Sequence, residues 1–282
     1  MQAHRSRKIG DIEVIALVDG RMTAPNALFP LYDPDQARDA AQQAGVAYDG
    51  AIVDVAINAF VIRTGGRTLL VDAGAPPGYS DTSGYLKDSM AAAGIAPGDI
   101  DTLAMTHLHI DHVGIMADAE GKAAFPNAQL VSGAGDWDYF HDDSVFAAGN
   151  DRVRNSLSVS RRMLAPYADR RRDVQGEAEV APGVTMVPLP GHTPGHSGIL
   201  IADGGDQLLI WGDVIHAEAF QLARPDWSVR FDVDQDAARA TRVKLFDRVA
   251  TDGLRVTGPH VRFPGFGRVE RMQQGYRLVH ED

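Results

Sequence analysis

An α/β fold made of two similar halves is what this sequence predicts, on three observations. Short runs rich in Val, Ile and Leu alternate with helical patterns along the chain. Each half contains a strand, a two-glycine turn and a second strand, with Gly65-Gly66 in "RTGGRT" and Gly204-Gly205 in "ADGGDQ". Each half then runs into a polar loop that carries His or Asp. No linker rich in Pro, Gly or Ser divides the halves and no repeat is visible in the sequence, so residues 1–282 read as one domain.

The elements follow in order. Ile12 to Gly20 is a strand; its apolar run is interrupted by Asp11 and Glu13, so it does not read as a secretory leader behind Arg5, Arg7 and Lys8. A helix is predicted over Asp33 to Gly45, opened by Pro34. Ile57 to Gly74 is a hairpin about the first glycine pair, Ser83 to Gly94 a helix closed by glycine, and Thr102 to His107 a strand. A further helix runs through Asp151 to Arg171, with its arginines on a face read as solvated. The second half has the same plan, with a strand from Val184, a hairpin over His196 to Asp213, a long helix over Asp234 to Gly253, and a strand over Leu254 to His260.

Composition narrows the chemistry. An apolar fraction of 44% in 282 residues is ample for a core. The formal charge of −11, with no basic stripe beyond "DRRRD" at Asp169 to Asp173, argues against a nucleic-acid partner. There is no cysteine, so any metal must be held by nitrogen and oxygen. No window reaches the roughly 20 apolar residues of a membrane helix. The chain as written reads as soluble, without a membrane partner, and cytoplasmic; a periplasmic or secreted location follows if a leader was removed.

The densest chemistry is "MTHLHIDHVG", where His107, His109, Asp111 and His112 stand within six positions. In an extended segment His107 and His109 point the same way and form a two-nitrogen claw. Asp111 and His112 begin the next segment and reach a second point, so one loop can serve two metals. His192 in "LPGHTPGHSG", Asp213 in "LLIWGDVIH" and His260 in "VTGPHVRFPG" lie at further strand ends. Five imidazoles and two carboxylates fill two sites that share one carboxylate and one bridging water, within what catalytic Zn²⁺ accepts. Two divalent ions, two carboxylates and a hydroxide leave the site with a charge of about +1, which favours a developing oxyanion.

The series "HxHxDH", "PGHTPGH", "GD" and a C-terminal His resembles the metallo-β-lactamase superfamily, and the match spans most of the chain from "VDAG" to His260. The resemblance implies an αββα four-layer sandwich with the metals between two sheets. It places Asp213 as the bridging carboxylate and implies a homodimer. "WGDVIHAEAFQLARPDWSVRFDVD" and "HVRFPGFGRVERMQQGYRLV" are similar to the methyl parathion hydrolase branch, which includes aryl-lactonases and other lactone hydrolases. By position in that pattern Tyr79, Phe140, His216 and Phe231 would line the pocket, with Ala27 to Pro30 as a flap.

Asp72 in "LLVDAG" reads two ways, as a turn residue ending a strand or as an acceptor that orients a metal-bound histidine. His196 reads as structural. His4, His141 and His280 read as solvated, and Arg170 to Arg172 as surface. The function implied is hydrolysis of a lactone or aryl ester by a metal-bridging hydroxide, with organophosphate triesters as side substrates. Two divalent ions are the expected cofactors, Zn²⁺ before Mn²⁺, Co²⁺ or Fe²⁺. His107, His109 and His192 would steer the electrophilic oxygen, the second metal would take the leaving group, and Asp111 or water would supply its proton.

The substrate expected is small, neutral, and apolar or aromatic; a charged thioester would need basic contacts that the sequence does not reveal. Competing readings keep the fold but cleave a β-lactam or thioester, or make the chain a nuclease or a non-enzymatic metal-binding module. An iron oxygen-reductase is disfavoured because that branch carries Glu where His109 stands.

Overall fold

The computed structural model describes residues 3–281. Its strands form two seven-stranded sheets, and every strand of the first precedes every strand of the second. The first sheet takes β1 (His4–Ile9), β2 (Ile12–Pro25), β3 (Ile52–Thr64), β4 (Arg67–Val71), β5 (Thr102–Ala104), β6 (Gln129–Gly133) and β7 (Arg171–Val174), in that order across the sheet. The second takes β8 (Ala178–Ala181), β9 (Val184–Pro188), β10 (Ser197–Asp203), β11 (Asp206–Ile210), β12 (Arg255–Thr257), β13 (Gly267–Arg271) and β14 (Tyr276–His280). Both glycine pairs form their hairpins with positive φ at each glycine, the conformation that matches a tight turn to the twist of its strands.

The helices are α1 (Pro34–Ala44), α2 (Leu86–Ala92), α3 (Ile110–Val113), α4 (Asp136–His141), α5 (Asp143–Ala148), α6 (Asp151–Leu164), α7 (Glu218–Gln221) and α8 (Gln235–Asp252). Asp33 caps α1 by accepting from the amides of Asp35 and Gln36, and Asp234 does the same for α8 through Asp236 and Ala237. Gly45 and Gly253 close the two helices in the left-handed conformation.

Three apolar layers separate four layers of structure. Alternate residues of β2, β3 and β4, such as Val14, Phe60 and Val71, meet Met186, Ile199 and Ile210 between the sheets. Their opposite faces, through Ile15, Val61 and Leu70, pack on Leu86 and Met90 of α2 and on Leu157 and Leu164 of α6. Leu245, Phe246 and Val249 of α8 cover the outer face of the second sheet. This is the αββα sandwich.

Two expected helices are shorter than the sequence suggests. The pattern over Asp151 to Arg171 is helical only to Leu164; a 3₁₀ segment follows to Arg170, and Arg171 begins an edge strand. Pro166 has no N–H to continue the ladder. The helix predicted from Ser83 begins at Leu86, after Gly84 at φ 90°. β1, β6, β7, β8, β13 and β14 are not distinguished by the sequence pattern; all are six residues or fewer, and four of the six lie at a sheet edge.

Candidate metal centre

β4 runs parallel to β5, and β11 to β12, so each pair delivers its C-terminal ends at one edge of its sheet. Asp72 follows β4, His107 and His109 follow β5, Asp213 follows β11 and His260 follows β12. Asn58 of β3 ties the sheets together there, donating from Nδ2 to the carbonyls of Pro259 (3.0 Å) and Val261 (2.7 Å) on either side of His260.

The chain stays extended through His109, which puts His107 Nε2 2.9 Å from His109 Nδ1. His192 Nε2 closes a triangle, 2.9 Å from His109 Nδ1 and 3.2 Å from His107 Nε2. One point can lie about 2.0–2.1 Å from all three corners, the length of a Zn–N bond. Asp111 and His112, on the first turn of α3, meet His260 at a second point; Asp111 Oδ2 lies 3.8 Å from His112 Nε2 and 3.7 Å from His260 Nε2. Asp213 stands between the groups. Its Oδ2 is 3.4 Å from His192 Nε2 and 3.1 Å from His260 Nε2, and its Oδ1 is 3.3 Å from His112 Nε2.

The outward nitrogens explain why the inward ones are available. His112 Nδ1 donates to Asp72 Oδ2 (2.9 Å), His192 Nδ1 to Asp232 Oδ1 (2.9 Å), and His260 Nδ1 to the carbonyl of Ala56 (2.7 Å). The Thr106 hydroxyl donates to Asp72 (2.8 Å) and so accepts from His107 Nδ1 (3.1 Å). With their outer protons so placed, the Nε2 lone pairs of His107 and His192 face each other at 3.2 Å, a repulsive arrangement that a cation between them relieves. His112 Nε2 and Asp213 Oδ1 are buried without hydrogen-bond partners. The donor set therefore fits divalent metal ions.

Burial and neighbouring imidazoles push His107 and His109 well below the usual histidine range, which keeps their lone pairs free. Burial opposes the charge on Asp213, yet His112 and His260 outweigh it and hold the carboxyl well below its usual value. Burial also opposes a charge on His112, but Asp213 and Asp72 outweigh it and raise the imidazole well above its usual value.

Residues 52–251 match the family model of the metallo-beta-lactamase superfamily. The chain belongs to that superfamily. An N-acyl homoserine lactonase of a Bacillus species is 24% identical over 171 residues, which are 54% of this chain and 60% of that protein, so the chain spans less than two thirds of this relative's length. A solved structure described as hydrolase AbOPH in the beta lactamase superfamily shares 25% identity, with a TM-score of 0.91 over 100% of this chain and 99% of that one. The dizinc quorum-quenching lactonase AidC, solved with N-hexanoyl-L-homoserine, has the same fold, with a TM-score of 0.91 and 24% identity over 99% of this chain and 98% of its own.

A cavity of about 600 Å³ opens beside His109, Asp111 and His192, lined among others by Tyr79, His216 and Phe231. Phe140 is not part of its wall. It is fully buried in the layer beneath the first sheet, edge-on to the His109 ring at 5.3 Å, where it supports that histidine. In the segment Ala27 to Pro30, Phe29 packs on Phe220 and Trp227, and the carbonyls of Ala27 and Leu28 accept from Arg230, which lines the cavity. His216 lines the cavity and also reaches the carboxylate, with Nε2 3.1 Å from Asp213 Oδ2.

His196 accepts the Asp213 amide at Nε2 (2.8 Å) and donates from Nδ1 to the carbonyl of Leu189 (2.6 Å). Burial lowers it to about 3, so it stays a neutral acceptor. His280 is half-buried and bonds buried Glu218 at 2.7 Å; His141 stacks on Trp137 at 4.2 Å, and Nδ1 of His4 is buried.

Sequence reasoning missed Asp232 and Arg242. Asp232 accepts from His192 and lies 3.6 Å from the Arg242 guanidinium, which is itself buried among the carbonyls of Val214 and Trp227. Asp232 stands two residues before the cap of α8 and reads as part of that cap, whereas Arg242 falls on the three- and four-residue spacing of Ala238, Leu245, Phe246 and Val249, a signal that could have placed it on the buried face of α8. Asp72 holds φ at 58°, a costly conformation for a residue other than glycine, while accepting from Thr106 and His112. Asp72→Asn, which tolerates that backbone, is expected to weaken metal binding about 10–100-fold in chelator competition.

Proposed function

We propose that this chain is a dinuclear metallohydrolase that opens lactones or aryl esters, with organophosphate triesters as side substrates. The observation that carries the reading is the convergence of His107, His109, His192, Asp111, His112, His260 and Asp213 on two adjoining points, with His109, Asp111 and His192 opening to the cavity. His107, His109 and His192 would hold one ion, Asp111, His112 and His260 the other, with Asp213 shared. Bound there, two divalent ions supply Lewis acidity and make water acidic near neutral pH. Zn²⁺ suits the nitrogen-rich set, and the dizinc relative supports it.

The protein's own groups do the rest. Asp111 borders the cavity and has a carboxylate oxygen that can carry a proton to the departing alkoxide. The Asp111 charge and burial push Tyr79 up, so its phenol remains a hydrogen-bond donor towards a substrate oxygen. Phe231, Pro76, Pro77 and Met22 give the walls an apolar surface for the uncharged reacting ester. The lactonase relative supports the lactone branch.

The test is kcat/KM for dihydrocoumarin, N-hexanoyl homoserine lactone, paraoxon and a cephalosporin, with metal content measured on the same samples. Lactone or aryl-ester turnover lost on chelation and restored by Zn²⁺, Mn²⁺, Co²⁺ or Fe²⁺ is the expected result. Turnover of the cephalosporin alone would overturn it.

A further inference from the structure

We propose that the cavity recognises a carboxylate on the part of the substrate remote from the scissile bond, through Arg152 with support from Arg162 and Arg230. This rests on the reading of the metal centre as an ester or lactone hydrolase and specifies its substrate. All three arginines line the cavity. Arg152, Asn155, Ser156, Val159 and Arg162 recur at three- and four-residue spacing and form the face of α6 turned to it, while Ser160, Met163 and Leu164 are buried. The face read from sequence as merely solvated is thus a wall of the site.

The arginines of α6 divide by partner. Arg154 pairs with Asp151 at 2.7 Å and Arg161 with Asp143 at 2.9 Å. Arg152, Arg162 and Arg230 make no ion pair among the described residues, in a chain with 38 acidic and 27 basic side chains. Three unneutralised guanidinium groups round one opening focus positive potential where the rest of the molecule is negative. Such a field draws in an anion and is wasted on a neutral substrate.

Arg152 is the principal contact. Its guanidinium stacks on Phe231 at 4.3 Å, which fixes the group while leaving its edge of N–H donors free. Arg230 is fixed by donating from Nε to the carbonyl of Ala27 at 2.8 Å. Arg152 and Arg162 are ten residues apart on one helix, about 15 Å along its axis, so each meets an anion singly. One guanidinium edge matches one planar carboxylate. The basic contacts that a charged acyl substrate needs, invisible in the sequence, are present here.

The test compares 4-nitrophenyl hydrogen adipate with its methyl ester on the metal-loaded protein at low ionic strength. The free acid is expected to be preferred about tenfold in kcat/KM, mainly through KM, with the preference shrinking as salt rises. Arg152→Gln is expected to bring the ratio near unity. Equal rates on both esters in the unaltered protein, or an Arg152→Gln variant that slows both alike, would overturn the proposal and leave the hydrolase reading intact. If neither ester is cleaved, the lactone and aryl-ester panel decides the hydrolase reading, and calorimetric titration decides the anion site. Adipate should then bind more tightly than hexanoate, and only in the presence of Arg152; equal affinity rejects it.

Discussion

Asp213→Asn is expected to lower kcat/KM for any ester or lactone substrate by about 10³-fold or more and to reduce bound metal below two ions per chain. Among the described residues Asp213 is the one carboxylate within reach of both histidine groups, from 3.1 Å at His260 to 3.7 Å at His107. Asparagine keeps the shape and one oxygen but removes the charge that holds two cations together, and it offers an amide where a second lone pair is needed. Lewis-acid stabilisation is worth several kcal/mol, and each 1.36 kcal/mol is about tenfold in rate. Metal analysis, turnover and near-UV circular dichroism on one preparation check this. A folded variant that keeps two ions and most of its rate would remove Asp213 from the centre.

Gly212→Ala attacks the same carboxylate through the backbone. Gly212 sits at φ 58°, and a Cβ there would lie 2.5 Å from His196 Nε2 and 3.1 Å from Thr106 Cβ. His196 is the group that accepts the Asp213 amide, and Thr106 is the link from His107 to Asp72, so neither can yield without moving ligands. The expected cost is about 2–4 kcal/mol, from left-handed strain together with overpacking. At roughly 2 °C per kcal/mol for a chain of this size, Tm should fall by about 4–8 °C, and zinc should bind less tightly than in the parent. Differential scanning calorimetry with and without metal separates the two effects. A variant with unchanged Tm and unchanged metal affinity would show that the Asp213 turn is not set by His196.

The parts legible in the sequence are those encoded over short distances. Two glycines in a row between β-branched runs favour a hairpin, and both pairs form one. The caps Asp33 and Asp234 and the closing glycines Gly45 and Gly253 bound α1 and α8 within a residue of the predicted limits. The spacing of His107, His109, Asp111 and His112 likewise carries its geometry with it, because two residues of extended chain followed by a helical turn leave little freedom.

Less is legible where distant segments meet. Phe140 has the composition of a pocket wall, but α4 turns it under His109. Asp232 looks like part of a helix cap, and only the return of the His192 loop shows what it binds. Arg152 and Arg162 look like ordinary solvated charges because charge pairing depends on neighbours such as Asp151 and Asp143, which periodicity does not reveal. Short edge strands escape for a related reason: a run of four to six residues gains its strand character from the ladder it joins.

By itself, then, the sequence determined that strands and helices would alternate, where the two tight hairpins lie, and that nitrogen and oxygen donors would have to hold any metal. Local backbone sterics and side-chain chemistry act within a few residues and need no partner. The tertiary structure decided which donors share a point, which outer hydrogen bonds turn their lone pairs inward, and which arginines face the cavity unpaired. Those properties depend on groups far apart in the chain, such as His107 and His192, 85 residues apart, being brought to about 3 Å by the packing of two sheets.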